Sequence, residues 1–169
     1  MQKYAFIDKD GTIIWEPPQP PDNNPDKNYT LTSMKQFKFI DGAIEGLRTL
    51  VEKGYRLVLA TNQAYLGTPN HPRELFDQVM IKINNELAKY NIAFDFVMVC
   101  PHGPEENCVC RKPKIGGLKP FIEASKGKID FDHSLMFGDR SDDEGFANNL
   151  GIRFVFVKRN EQFVLPKDI

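Results

Sequence analysis

Five short apolar runs recur along the chain, each bounded by polar residues or glycine: KYAFID (3–8), YRLVLAT (55–61), FDFVMVC (94–100), SLMFGD (134–139) and RFVFV (153–157). They are rich in Val, Phe, Ile and Leu and nearly continuous rather than alternating, which predicts strands covered on both faces, as in a parallel sheet. Between them the apolar spacing becomes helical. Ile44, Leu47, Leu50 and Val51 make one face behind Asp41, the predicted N-cap, and Gly54 stands where that helix should stop. Leu75, Phe76, Val79, Met80, Ile83 and Leu87 form a second stripe that runs out near Asn91. Residues 117–127 and 142–150 predict two shorter helices. This alternation predicts an α/β fold, a doubly wound (Rossmann-like) parallel sheet flanked by helices, with ligands at the carboxyl ends of the strands.

The stretch EPPQPPDNNPDKNYT (16–30) interrupts the alternation, holding five of the chain's twelve prolines and no periodicity. It reads as a loop, and its place after the first strand puts residues 15–35 over the carboxyl edge of the sheet, near the active site. At 169 residues the chain is expected to be a single domain spanning 1–169. Its formal net charge of −1 argues against a nucleic-acid or anionic-membrane partner. No apolar run approaches the length of a membrane span, and MQKYAFID is too short and too soon acidic for a signal peptide. The three cysteines all fall within residues 100–110, which does not read as a secreted disulfide framework. The expectation is a cytoplasmic protein with reduced thiols.

Two constellations carry chemistry. In FIDKDGTII (6–14), Asp8 and Asp10 stand two apart at the end of an apolar strand, so their side chains can project to one side, and the Asp-Gly step predicts a sharp turn. Two close carboxylates repel each other unless a cation neutralises them, and Mg²⁺ with substrate phosphate oxygens meets that need. In CPHGPEENCVCRKPK (100–114), Cys100-x-His102 and Cys108-x-Cys110 are two pairs separated by five residues. In extended backbone each pair faces one way, giving the four ligands of a closed Cys₃His zinc site. Such a site leaves no position for substrate, so Zn²⁺ would be structural, stapling loop 100–114. The spacing departs from the usual zinc knuckle, and the alternative is a loop of free cysteines. His71 and His133 have no comparable partners and read as surface residues.

DKDGT behind a buried strand resembles motif I of the haloacid-dehalogenase-like phosphohydrolases. LATNQ is similar to motif II, CRKPK to motif III and MFGDRSDD to motif IV, with Asp139 and Asp143 in its G-D-x-x-x-D form. The resemblance implies Asp8 as a nucleophile that forms an aspartyl-phosphate and Asp10 as the general acid/base. It further implies Thr61 holding the phosphoryl group, Lys112 as the catalytic lysine, and Asn62 and Arg111 on the substrate. Mg²⁺ would be held by Asp8, the Asp10 backbone carbonyl and Asp139, with Asp143 in support.

No inserted domain separates the motifs, so the chain resembles cap-less members, and its cysteine-rich loop resembles a zinc-stapled branch. That branch holds histidinol-phosphate phosphatases and heptose-1,7-bisphosphate 7-phosphatases. DGTIIWEPP (10–18), TNQAYLGT (61–68) and the compact loop favour the former. The resemblance runs from Lys3 to about Lys158 and is to the N-terminal phosphatase domain of the bifunctional bacterial histidine-biosynthesis enzyme, without its dehydratase domain. Lys9 stands where Arg is usual, and Ala64-Tyr65 where an acidic or small residue and Gly are usual, which bears on pocket shape. Glu16 either pairs with a substrate ammonium or imidazole or is a solvated loop residue. The expected substrate is a small phosphorylated metabolite, L-histidinol phosphate, with no obligate protein partner. The alternatives are the heptose bisphosphate, a polynucleotide 3′-phosphate, which would need a basic aromatic groove, and a non-catalytic zinc-binding module.

Overall fold

The structure, a computed structural model, describes residues 1–18 and 30–169. Among the described residues five strands form one parallel sheet: β1 (Tyr4–Ile7), β2 (Arg56–Asn62), β3 (Phe94–Cys100), β4 (Leu135–Gly138) and β5 (Arg153–Phe156), in the order β3-β2-β1-β4-β5. Parallel pairing runs throughout, for example Phe6 against Val58 and Met136. The α-helices described between the strands are α1 (Ala43–Glu52), α2 (Arg73–Ala88), α3 (Lys119–Ala124) and α4 (Ser141–Leu150).

The continuous apolar runs of β1, β2 and β4 are explained by two cores, one on each face, whereas the edge strands β3 and β5 are only partly covered, with Val97 and Phe156 exposed. Successive residues of a strand point to opposite faces, so Ala5, Ile7, Leu57, Leu59, Leu135 and Phe137 pack in one core with Leu47, Leu50, Val79, Ile83 and Leu87 of α1 and α2. Tyr4, Phe6, Val58, Ala60 and Met136 pack in the other with Phe121 of α3 and Phe146 and Ala147 of α4. A strand covered on both faces has no solvent side and shows no polar alternation.

The helices begin and end close to the sequence expectation, with two informative differences. Gly42 (φ +79°), rather than Asp41, precedes α1, and no side chain caps it. The Asp41 carbonyl instead accepts the Phe163 N–H at 2.8 Å, so packing of the C-terminal segment sets the helix entry. The 117–127 helix is shorter than expected, a 3₁₀ turn at Gly116–Leu118 leading into α3. Residues 19–29 of the proline-rich stretch lie outside the described residues. Its flanks are held together, with Trp15 N–H donating to the Lys38 carbonyl at 3.0 Å and Ile14 bridged to Phe39. Among the described residues no helix is long and apolar enough to cross a membrane.

One expectation is corrected. His71 is buried, not on the surface: the turn closed by the Thr68–His71 bridge folds its ring inward, with Nδ1 2.9 Å from the Ala64 carbonyl. His133 is exposed and lies 3.0 Å from the Asp130 carboxylate.

Leu47 in α1 has no solvent exposure and sits in the larger core. Leu47→Ala is therefore expected to lower unfolding free energy by about 2–5 kcal/mol, read from denaturant midpoints.

Candidate active site

The site gathers at the carboxyl ends of β1, β2 and β4. Asp8 continues β1, its N–H donating to the Phe137 carbonyl of β4 at 2.9 Å. The chain then turns through Gly11 at φ +77°, a left-handed backbone that glycine adopts without strain. A Cβ there would also stand 3.0 Å from the Asp139 carboxylate. Asp139 follows β4, and Asp143 lies in the first turn of α4, where its Oδ2 accepts the Arg140 N–H at 3.1 Å. Gly138 is required by this closeness, because a Cβ on it would meet the Asp143 carboxylate at 2.3–2.4 Å.

The centre of the site is the buried ammonium of Lys112. Its Nζ donates to Asp8 Oδ1 at 2.6 Å, Asp143 Oδ1 at 2.6 Å and the Ala60 carbonyl at 2.7 Å. Three acceptors match the three hydrogens of an ammonium. Burial alone would lower the Lys112 pKa, but the Asp8 and Asp143 charges more than offset it and hold the group protonated. Asp8 is pushed up to about 6, chiefly by burial; Lys112 opposes the shift, and the Asp143 and Asp10 charges add to it.

Asp139 is the carboxylate with capacity left over. Its Oδ2 accepts from Arg159 Nε at 2.5 Å, whereas its buried Oδ1 has no hydrogen-bond partner among the described residues. Burial and the Asp8 charge raise its pKa against the two arginines beside it. Carboxylate oxygens of Asp8, Asp139 and Asp143 all lie within 4.8 Å of one another. An orphaned buried carboxylate oxygen beside a second carboxylate fits a hard divalent cation such as Mg²⁺. Asp143 has both oxygens engaged, by Lys112 and by the Arg140 N–H, so it supports Lys112.

Asp10 is held on both oxygens, Oδ1 by Lys9 Nζ at 2.8 Å and Oδ2 by Gln63 Nε2 at 2.7 Å. The same Gln63 nitrogen lies 2.7 Å from Thr61 Oγ1. Lys9 and Gln63 were not assigned roles from sequence. Gln63 stands in the TNQ run, its one signal in the sequence, and Lys9 shows only as a departure from Arg.

Asn62 was expected on the substrate. Its amide instead closes a two-bond clamp on the Lys112 backbone, accepting the Lys112 N–H at 2.9 Å and donating to the Lys112 carbonyl at 3.1 Å. Arg111 faces the cysteine loop, its Nη1 donating to the His102 carbonyl at 3.3 Å. Glu16 is neither solvated nor open to a substrate cation. It is 1% exposed, accepts from Arg140 Nη2 at 2.5 and 2.6 Å, and lies 3.5 Å from Arg159 Nε. Burial pushes its carboxyl up to about 7 against the pull of Arg140. Asn160 pins the Glu16 backbone at both ends, at 2.8 and 2.9 Å.

The loop after β3 brings Cys100, His102, Cys108 and Cys110 together. The three Sγ–Sγ separations are 3.3–3.6 Å, and His102 Nδ1 lies 3.6 Å from Cys100 and 3.2 Å from Cys110. The cysteines are free. Thiolates about 2.3 Å from a tetrahedral zinc are about 3.8 Å apart, so the cluster needs to open by only a few tenths of an ångström to hold one. Lys112 follows Cys110 by two residues.

Residues 3–161 match the family described as polynucleotide kinase 3 phosphatase. The chain belongs to that family. Membership makes it a phosphatase, and its haloacid-dehalogenase-like fold is shared with the solved D,D-heptose 1,7-bisphosphate phosphatase of B. bronchiseptica, complexed with magnesium and phosphate. That likeness has a TM-score of 0.72 at 25% identity and covers 90% of this chain and 79% of that one. The phosphatase is also 34% identical over 159 residues to the histidine biosynthesis bifunctional protein HisB of Legionella pneumophila, covering 94% of this chain and 42% of the relative. To the HisB of Actinobacillus pleuropneumoniae it is 39% identical over 152 residues, covering 90% and 39%. The chain thus spans about two fifths of the length of these curated relatives.

In this phosphatase without a divalent cation, the shift of Asp8 from 3.8 to about 6 makes the folded state the better proton binder across that window. Stability is therefore expected to fall as pH rises through it. Added MgCl₂ is expected to raise the thermal midpoint markedly at about pH 7 and little at about pH 4. Equal shifts at both would show that the cation acts elsewhere.

Proposed function

We propose that the chain is a Mg²⁺-dependent phosphomonoesterase that hydrolyses L-histidinol phosphate to L-histidinol and phosphate. The observation that carries the phosphatase chemistry is the buried Asp8–Lys112 contact beside the orphaned Asp139 oxygen. Lys112 keeps one Asp8 oxygen in place, and Oδ2, with the Thr12 hydroxyl at 3.4 Å, has a lone pair available for attack. Asp8 attacks phosphorus as the bond to the leaving oxygen breaks, giving an aspartyl-phosphate. Asp10 gives its proton to that oxygen, then takes one from the water that cleaves the intermediate. Thr61 is a donor for a phosphoryl oxygen. Asp8, Asp139 and the Asp10 backbone carbonyl would hold Mg²⁺, which when bound would neutralise phosphoryl charge.

The choice of histidinol phosphate is supported by the 34–39% identity to the HisB proteins over nearly the whole chain. A second reading is the 7-phosphate of heptose 1,7-bisphosphate, supported by the likeness to the heptose enzyme. On either reading the substrate is a small phosphorylated metabolite of the cytoplasm, with no nucleic acid and no obligate protein partner, and residues 1–169 act as one catalytic domain. Zn²⁺ on Cys100, His102, Cys108 and Cys110 would be structural, holding the loop that carries Lys112, with no open position for substrate.

Phosphate release with Mg²⁺ should be measured on histidinol phosphate, heptose 1,7-bisphosphate and a 3′-phosphorylated oligonucleotide. Histidinol phosphate is expected to have the highest kcat/KM, and Asp8→Asn is expected to abolish turnover of all three. A preference for the heptose or the oligonucleotide would overturn the substrate reading, and an active Asp8→Asn the covalent mechanism.

A further inference from the structure

Gln63 lies in neither a core nor the proposed metal site, yet it is 2% exposed and its amide reaches two groups that the chemistry uses. Its backbone is tethered on both sides, the N–H donating to the Cys100 carbonyl at 2.7 Å and the carbonyl accepting the Leu66 N–H at 3.2 Å. From this fixed position Nε2 donates to Asp10 Oδ2 and Thr61 Oγ1, each at 2.7 Å. We propose that Gln63 is a positioning residue for phosphoryl transfer, orienting the acid/base carboxylate and the phosphoryl-binding hydroxyl with the two hydrogens of one amide nitrogen. The proposal rests on the roles of Asp8 and Asp10 given above.

The chemistry follows from what an amide nitrogen can do. It donates and does not accept, so Asp10 Oδ2 is engaged as an acceptor by a tethered side chain. On this reading the proton that Asp10 transfers is carried on Oδ1, the oxygen that Gln63 does not hold. That oxygen accepts from Lys9 Nζ at 2.8 Å in the resting site, and the lysine must yield it before Asp10 acts as an acid. When Asp10 does act, the Oδ1 proton passes to the leaving oxygen as its bond to phosphorus breaks and the Asp8–phosphorus bond forms. Gln63 imposes a matching direction on Thr61. Because Oγ1 accepts from Gln63, the threonine's own hydrogen is left as a donor for the phosphoryl group. One side chain thus sets the hydrogen-bonding sense of both, and a misplacement of the acid is felt only where a proton is needed.

That last point supplies a test which a merely structural role would not move. The test compares kcat/KM, which reports steps through aspartyl-phosphate formation, for two substrates. One is an alkyl phosphomonoester, whose alkoxide must be protonated as it leaves; the other is p-nitrophenyl phosphate, whose phenolate leaves unaided. Gln63→Met keeps the volume without a donor, and Gln63→Glu keeps a polar group of the same length with an acceptor in the donor's place. Each is expected to lose about 100-fold on the alkyl substrate and less on the aryl one, which feels the misorientation of Thr61 but not that of the acid. Asp10→Asn, the benchmark, is expected to show the same selectivity more strongly. Equal losses on both substrates, or an unchanged alkyl rate, in a Gln63 variant whose circular dichroism is that of the parent would overturn the proposal. If Gln63→Met does not fold, Gln63→Glu decides alone. An Asp10→Asn variant without selectivity would remove the acid/base reading itself, a failure distinguishable from that of Gln63 alone.

Discussion

The structure depends on one buried ammonium. Lys112 comes from a loop after β3, yet its Nζ ends among the carboxyl ends of β1 and β2 and the first turn of α4, bonded to Asp8, Ala60 and Asp143. A charge in so dry a place is tolerable only with its partners in contact, and removing one partner leaves the other uncompensated. The constraint acts in both directions. Asp8 is kept at the strand end by a lysine that cannot leave without cost, and the lysine is kept protonated by Asp8 and Asp143.

Around that ammonium the supporting contacts form a ring of longer-range ties. Asn62 grips the Lys112 peptide from both sides, the cysteine loop ends two residues earlier, and Asp143 sits against Gly138, where any side chain would collide with it. On the far side, Glu16 holds Arg140 and lies near Arg159, and Arg159 in turn holds Asp139. The carboxylates of the site therefore differ in kind. Asp8 and Asp143 balance a lysine, Asp139 leans on arginine and keeps one oxygen in reserve, and Asp10 is shared between Lys9 and Gln63.

Much of this was legible in the chain because it is local. Strands covered on both faces read as unbroken apolar runs, and residues 8, 10, 139 and 143 sit at fixed short spacings behind them. The two cysteine-containing pairs declare a cluster for the same reason. What could not be read is whatever depends on partners far away in sequence. Asn62 and Lys112 are fifty residues apart, and Glu16 and Arg140 are 124 apart, so nothing near Glu16 distinguishes a buried ion pair from a solvated loop residue. His71, flanked by polar and proline residues, looks like surface until the Thr68–His71 turn is closed. The placement of Asp41 outside α1 follows from a backbone bond to Phe163, again a distant partner.

The central claim is that charge, not packing, makes Lys112 indispensable. It is tested most directly by the pH dependence of unfolding free energy in Lys112→Met against the parent, both without divalent cations. At about pH 8 the account predicts a deficit of about 3–5 kcal/mol, because Asp8 and Asp143 are left buried without a counter-charge. At about pH 4 the deficit is predicted to shrink substantially, because Asp8, with its pKa pushed up to about 6, is then protonated. A deficit of the same size at both pH values would make Lys112 a packing residue and contradict the account.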